Sequence, residues 1–463
     1  MRQFPTTQSL LNTLTLGALF KRTFPHGIHP AEQKNYTADK PIKRLPFPRE
    51  LVIPLSQHTG APSVPLVHPG QEVVRGEPIA RAGGFVSVPQ HAPATGVVRD
   101  IDLMPSAKGP RVNSIILEVY PGDSQEVRYS QPRDLARMTP QDIIQAVQDT
   151  GIVGLGGAAF PTHVKLSPPK EHSVHTVLIN GCECEPFLTT DHRVMLEQGA
   201  DLIAGTRIFM QALGAERGII GVEDNKLDAA ESLRALLADA DDIRVEVVET
   251  KYPQGAEKML AKSILGVEIP SGNYPSSVGL AVFNVSSTAQ MGALLPRSQG
   301  VIERVVTVTG PGVGKPGNYL VPIGTTARFI LDQIGFRGSE QTLIMGGPMM
   351  GSTVASLDVP ITKGCGGFLV LTERELANQT CRGIYPCISC GHCVEACPMI
   401  LNPCEMGKLA YKNRYPEMQE RFHLNDCFEC GCCSFVCPAG IPLVQYFRIA
   451  KAANREQAKA KAA

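Results

Sequence analysis

Two copies of one cysteine pattern lie close together near the C-terminal end of the sequence. The first reads Cys387-Ile-Ser-Cys390-Gly-His-Cys393-Val-Glu-Ala-Cys397-Pro398, the second Cys427-Phe-Glu-Cys430-Gly-Cys-Cys433-Ser-Phe-Val-Cys437-Pro438. Each is C-x2-C-x2-C-x3-C-P, the bacterial-type run that holds [4Fe–4S] cubanes. Closely spaced thiolates wrap three corners of a cubane from one tight loop. The fourth starts a segment that leads away, so it ligates the other cluster. This assigns Cys387, Cys390, Cys393 and Cys437 to one cluster, and Cys427, Cys430, Cys433 and Cys397 to the second. Gly391 and Gly431 fall inside the loops, where a missing side chain lets backbone N–H groups approach sulfur. The expected task is electron transfer.

Composition weakens the other uses of cysteine. With 14 cysteines in 463 residues, density is far below that of a disulfide scaffold. Zinc sites show two CxxC pairs separated by a longer spacer rather than four cysteines in one short run. Cys365, Cys381, Cys404 and Cys432 fall outside the ligand spacing and read as spare thiols. The 44 basic and 44 acidic residues balance, so nothing points to nucleic acid. No apolar run is long enough to span a membrane. The Leu10–Phe20 stretch lacks a preceding basic region and a small-residue cleavage site, which argues against a signal peptide. Cluster-spaced thiols belong in a reducing compartment, so the cytoplasm is expected.

Residues 1–40 read as a polar extended arm, in which His26 and His29 are too few for a metal site. Residues 41–130 are short β-like runs broken by Pro and Gly, a small all-β unit. Residues 131–295 alternate strand-like and helix-like segments and imply a mostly parallel sheet. Thr139-Pro140 marks a helix start, His175–Asn180 a buried strand, and Leu202–Leu213 followed by Gly214 a helix with its stop. Strands are also expected at Arg217–Val222 and Arg244–Val248. Residues 296–375 form a second β-rich unit, 376–447 the cluster unit, and 448–463 a short Ala/Lys-rich helical tail. The segment Thr309-Gly-Pro-Gly-Val-Gly314-Lys315-Pro316 lacks the glycine offset and the Ser/Thr of a P-loop.

Two further stretches carry chemistry. In Gly154-Leu-Gly156-Gly157-Ala-Ala-Phe160-Pro161-Thr162-His-Val-Lys165, glycines let the backbone approach a ligand, N–H groups can cradle a phosphate, and Lys165 supplies charge. The strand at 175–180 runs into Asn180-Gly-Cys182-Glu183-Cys184-Glu185-Pro186. On these residues, the region from about 130 to 290 resembles the flavin- and NADH-binding 51-kDa subunit of respiratory complex I. The resemblance implies a Rossmann-type α/β fold and FMN contacts from Gly154, Gly156, Gly157, Phe160 and Lys165. It also implies contacts from Asn180, Glu183 and Glu185 to the isoalloxazine or NADH. The family's aspartate is replaced here by Cys182. Glu183 and Glu185 can also be read as solvated strand-end carboxylates, and Cys182 and Cys184 as small buried thiols.

His68–Ala80 with Ala92–Val98 resembles the barrel-sandwich hybrid of biotinyl and lipoyl carriers, but Phe85–Gln90 lacks the lysine that such carriers modify. The whole order is a barrel-sandwich hybrid, a flavin domain, a soluble-ligand-binding β-grasp unit and an α-helical dicluster ferredoxin domain. It is similar to the RnfC/RsxC family of the Rnf ion-translocating oxidoreductase complexes. That resemblance implies a peripheral translocase subunit on the cytoplasmic side of the inner membrane. It would move electrons between NADH and ferredoxin or flavodoxin through FMN and two [4Fe–4S] clusters, docked on integral membrane and other subunits of the complex. A soluble diaphorase subunit of a hydrogenase or formate dehydrogenase, and a flavin-less electron relay, remain alternatives.

Overall fold

The computed structural model describes residues 22–462 except 108, 123–124, 238–241, 338–342 and 376–382. The Leu10–Phe20 run therefore lies outside the described residues. In the first β unit, Glu50–Pro54, Val112–Val119, Gly96–Met104 and Glu72–Val73 form one antiparallel sheet. Val64–Pro65, Pro78–Arg81 and Gln90–His91 form a smaller one. Strand alternation turns Leu51 and Ile53, with Ile115 and Leu117 opposite, into the shared core.

The flavin-like unit is built on four parallel strands in the order Ile243–Val248, Arg217–Glu223, Thr176–Gly181, Leu280–Asn284. Numbered along the chain, this is 3-2-1-4. The order reverses between Thr176–Gly181 and Leu280–Asn284, and such a switch opens a crevice beyond the carboxyl ends of those two strands. Both helix signals hold. Thr139 and Asp142 form a capping box ahead of Pro140–Thr150, and Gly214 at φ 63° ends Gly199–Leu213. That helix crosses Val285–Leu294 backbone to backbone. A Cβ on Gly205 would sit 1.9 Å from the Thr288 carbonyl, and one on Gly292 equally close to that of Asp201. Glycine at these two places fixes where Val285–Leu294, and hence Asn284 before it, must lie.

The second β unit is a six-stranded sheet ordered Ile42–Arg44, Gly317–Pro322, Glu303–Thr309, Gly367–Val370, Leu343–Met345, Ser352–Thr353, with Ala327–Ile334 packed on its core. The P-loop-like segment is the turn between Glu303–Thr309 and Gly317–Pro322, with Gly310 packed against Val370. The cluster unit packs Met406, Met418, Leu424, Leu443 and Phe447 into a small core.

The structure redraws three expected segments. Ile42–Arg44, read as part of the first β unit, instead pairs in parallel with Gly317–Pro322, because Leu45 beyond it enters the other core. The arm is not simply extended from residue 24 onward. Phe24 and Ile28 are buried, and Ile28 bridges Tyr252. Finally, the tail is not separate. One helix, Leu443–Ala462, carries Val444, Phe447 and Ala450 into the cluster unit's core.

Lys363 joins three of these units. Its ammonium donates to the carbonyls of Pro89 (2.7 Å) and Gly151 (2.9 Å), while its own N–H donates to Gln57. Burial pulls its pKa down to about 7. An unfolded lysine titrates near 10.4, so between those values the unfolded chain holds a proton that the folded chain lacks, and stability rises with pH. Lys363→Met should lower the thermal midpoint through the two carbonyls it orphans, by about 1–3 kcal/mol each. The gap to wild type should widen from pH 7 to 9. A constant gap in thermal melts across that range would show that the buried amine keeps its proton.

Candidate redox site

Asn180 and Asn284 stand directly opposite each other at the carboxyl ends of the two strands flanking the switch point. Each organises the loop that follows. Asn180 accepts from Cys182 N–H (3.0 Å) and donates to the Gly255 carbonyl (2.7 Å). Asn284 caps Val285–Leu294 by accepting from the N–H groups of Ser286 and Ser287, and donates to Asp191 at 2.6 Å. Asp191 also accepts from the Ser286 hydroxyl, and burial raises its pKa above the usual carboxylate range. Nothing in the sequence marks Asn284, Ser286 and Ser287 beyond an ordinary helix cap. Their place beside Asn180 follows only from strand register.

The glycine loop lies over this crevice. Its base is closed by the Val153–Pro161 bridge and by Gly154 N–H on the Phe160 carbonyl (2.8 Å). Ser287 ties it down, accepting from Leu155 N–H and donating to the Val153 carbonyl. Gly156 and Gly157 are exposed at the tip. A Cβ on Gly156 would approach the Asn284 amide at 3.9 Å, and one on Gly157 would meet nothing. Lys165, on the turn Thr162–Lys165, donates to the Val282 carbonyl (3.1 Å) and lies 3.4 Å from Glu257. The exposed backbone of Gly156 and Gly157 with the Lys165 ammonium nearby suits a phosphate-bearing cofactor.

The acidic loop is not solvated. Glu183 is 8% exposed, and its two oxygens accept from the N–H groups of Asp191 (3.0 Å) and His192 (3.2 Å), capping Thr190–Glu197. Burial and the Asp191 charge hold its pKa above the usual range. Glu185 accepts from Met349 and Met350 N–H, pinning the loop of the second β unit, and burial raises its pKa too. Both carboxylates therefore fasten backbone.

Beneath the loop lies Lys34, which the sequence hid in a polar arm. Its stem is half-exposed, but its ammonium is enclosed and donates to the carbonyls of Glu183, Glu185 and Leu188 at 2.7, 3.0 and 2.6 Å. Burial and nearby Lys226 lower its pKa, against the pull of Glu183 and Glu223. Lys226 and Glu223 form a fully buried pair at 2.6 Å. Burial opposes the Lys226 charge, and Glu223 more than restores it. Cys182 is buried with its sulfur 3.8 Å from the Gly221 carbonyl, and Cys184 accepts from Gly255 N–H. Burial pushes both thiols up, in keeping with small packing thiols.

The two cysteine runs fold alike. Ser389 (φ 54°) and Glu429 (φ 64°) precede the second cysteine of each run in the left-handed region, and Gly391 (φ 83°) and Gly431 (φ 89°) follow it. Non-glycine residues rarely hold that conformation. Here it curls each loop so that N–H groups face sulfur, as Ser389 N–H does toward Cys387 (3.4 Å). Cys397, Cys427, Cys430, Cys432 and Cys433 line one cavity, walled by Leu401 and Phe447. Four of them come from the second run, Cys432 outside its ligand spacing, and one from the first. Burial pushes the Cys427 thiol up to about 11, and any metal bound there would have to displace its proton. Cys393, similarly pushed up to about 11, feels the charges of Cys437 and Cys387, while Cys387 and Cys390 are exposed. One expected set thus shares a cavity, while of the other only Cys437 and Cys387 are within electrostatic reach of Cys393; among the described residues no three such side chains are closed to metal-binding spacing.

Cys365 is half-buried in the second β unit, apart from both sets, whereas Cys432 is buried in the wall of the inner cavity with its sulfur 4.0 Å from the Tyr252 carbonyl. Cys381 lies outside the described residues. His26 bonds the Glu395 carbonyl (2.8 Å) and His29 lies 3.7 Å from Glu249. The inner set abuts the flavin-like unit, where the Tyr252 hydroxyl donates to the Cys430 carbonyl at 2.6 Å.

Comparison with known proteins agrees with this geometry. Residues 22–120 match the RnfC barrel sandwich hybrid domain and 147–293 the Nuo51 FMN-binding domain. Residues 305–353 match the SLBB domain and 386–442 a 4Fe-4S dicluster domain. The C subunit of the proton-translocating ferredoxin:NAD(+) oxidoreductase complex of Clostridium ljungdahlii is 40% identical over 444 residues, covering 95% of this chain and 96% of that protein. The chain belongs to the RnfC family. Another RnfC relative is its counterpart in the Na(+)-translocating ferredoxin:NAD(+) oxidoreductase complex of Acetobacterium woodii. It is 40% identical over 86% of this chain and 89% of its own length. The RnfC fold is also similar to a chain of an NAD+-reducing [NiFe]-hydrogenase, with TM-score 0.50 and 19% identity, covering 64% of this chain and 60% of that one.

Proposed function

We propose that this chain is the peripheral subunit of a membrane-bound, ion-translocating complex, passing electrons between NADH and a ferredoxin-level carrier. FMN exchanges a two-electron hydride for single electrons, and two [4Fe–4S] clusters carry those electrons one at a time. The residues hold and position. The N–H groups of Gly156 and Gly157 at the loop tip, with Lys165, would face the cofactor's phosphate, and Asn180 shapes the crevice floor. Glu183 and Glu185 keep the acidic loop in place through their backbone contacts. Cys397, Cys427, Cys430 and Cys433 grip the inner cluster, and Cys387, Cys390, Cys393 and Cys437 the outer. The crevice at the strand-order switch carries this reading, because it joins a phosphate-cradling loop to a cysteine set through Tyr252 within one chain.

Among the described residues no helix is long and apolar enough to cross a membrane. The ion path is therefore assigned to partner subunits, with this chain on the cytoplasmic face. Anaerobically purified chain, reconstituted with FMN and iron–sulfur, should bleach its flavin on NADH addition and develop reduced-cubane EPR signals together. Iron near eight per chain without near-stoichiometric FMN would overturn the flavin assignment and leave an electron relay. Recovery only from the soluble fraction, and never in the salt or chelator extract of washed membranes, would refute the docked placement.

A further inference from the structure

The outer cysteine set contains one thiol more than a cubane needs. The Cys404 sulfur lies 3.8 Å from that of Cys387. Cys404 is half-buried near the start of the helix Pro403–Tyr411, whose first turn is fixed by Asn402 accepting from Glu405 N–H. Its charge also reaches Cys393, ahead of those of Cys437 and Cys387. Cys404 thus stands beside the first corner of the outer set, on a rigid support.

Cys387 has the opposite setting. It is exposed and sits in an irregular segment between Tyr385 and Ile388, both exposed, that is tied down by Tyr385 N–H on the Ala439 carbonyl (2.9 Å). A ligand on such a segment is the one most readily pulled from its iron. The thiol beside it needs no new backbone position to reach the same place.

We propose that Cys404 is a reserve ligand of the outer cluster, able to replace Cys387 at its iron. This rests on the cubane reading of the outer cysteines. In the exchange the Cys404 sulfur gives up its proton as its bond to iron forms. Cys387 takes up a proton as its own iron bond breaks. No electron moves, so no oxidant is required. The benefit is retention of iron at an exposed corner.

The test compares Cys387→Ala, Cys404→Ala, Cys390→Ala and the double variant Cys387→Ala/Cys404→Ala after anaerobic reconstitution, by iron and sulfide content and EPR. Alanine is used because serine oxygen can itself bind iron. Both single variants, Cys387→Ala and Cys404→Ala, should keep two cubanes, while Cys390→Ala and the double variant should fall from about eight irons to about four. The inner cluster's signal reports that each variant has folded. Iodoacetamide should label Cys404 in the wild-type holoprotein and spare it in Cys387→Ala. Loss of the outer cluster in Cys387→Ala as complete as in Cys390→Ala would overturn the proposal alone. A wild type lacking two cubanes would overturn it together with the reading beneath it.

Discussion

Cys397→Ala should abolish the same EPR signal as Cys433→Ala, although the two residues belong to different runs. Cys437→Ala should instead match Cys390→Ala. The expectation follows from the cavity that Cys397 shares with Cys427, Cys430 and Cys433, from the charges of Cys437 and Cys387 felt at Cys393, and from the crossed ligation that the run spacing implies. Each variant should lose about four of about eight irons. Losing the inner cluster should bring NADH-driven reduction of a low-potential protein acceptor to background. Oxidation of NADH by an artificial acceptor that takes electrons from the flavin should continue. If Cys397→Ala and Cys393→Ala silence one and the same signal, ligation is uncrossed and the order of carriers must be redrawn.

Lys34→Met should destabilise the fold and loosen the acidic loop together. It leaves the carbonyls of Glu183, Glu185 and Leu188 without their donor. At about 1 kcal/mol each, the low end of the range because the lysine stem is half-exposed, the loss is about 3 kcal/mol. The acidic loop then loses the post around which it turns, and Glu183 and Glu185 lose the backbone frame that aims them at their N–H partners. Lower retention of FMN on gel filtration and an earlier thermal transition should appear together. Lys34→Arg should recover little, since a planar fork does not reproduce three donors radiating from one nitrogen. An unchanged transition in Lys34→Met would show that water replaces the ammonium without cost.

Features written in local sequence were legible. The repeated cysteine spacing predicted two loops that fold alike, the capping box at Thr139 and the stop at Gly214 marked helices, and alternation of segment types predicted the parallel sheet. What stayed hidden was decided by partners distant in the chain. Asn284 reads as a helix cap until its strand lands beside Asn180. Lys34 reads as one polar residue among many until three carbonyls converge on it. Ile42–Arg44 is too short to declare a sheet, and its pairing with Gly317–Pro322 is set by burial of Leu45. Glu183 shows the limit in reverse. A carboxylate at a strand end is polar by type, yet here two N–H donors offset the cost of burying it.

The hydroxyl of Tyr252 holds main chain belonging to a ligand loop, and Ile28 and Gly27 brace the same corner from the N-terminal side. The gap that electrons must tunnel across between crevice and inner cube is thereby built into a single polypeptide, rather than set by a carrier that docks and leaves. A transfer between those two places would not depend on how much of any partner is present.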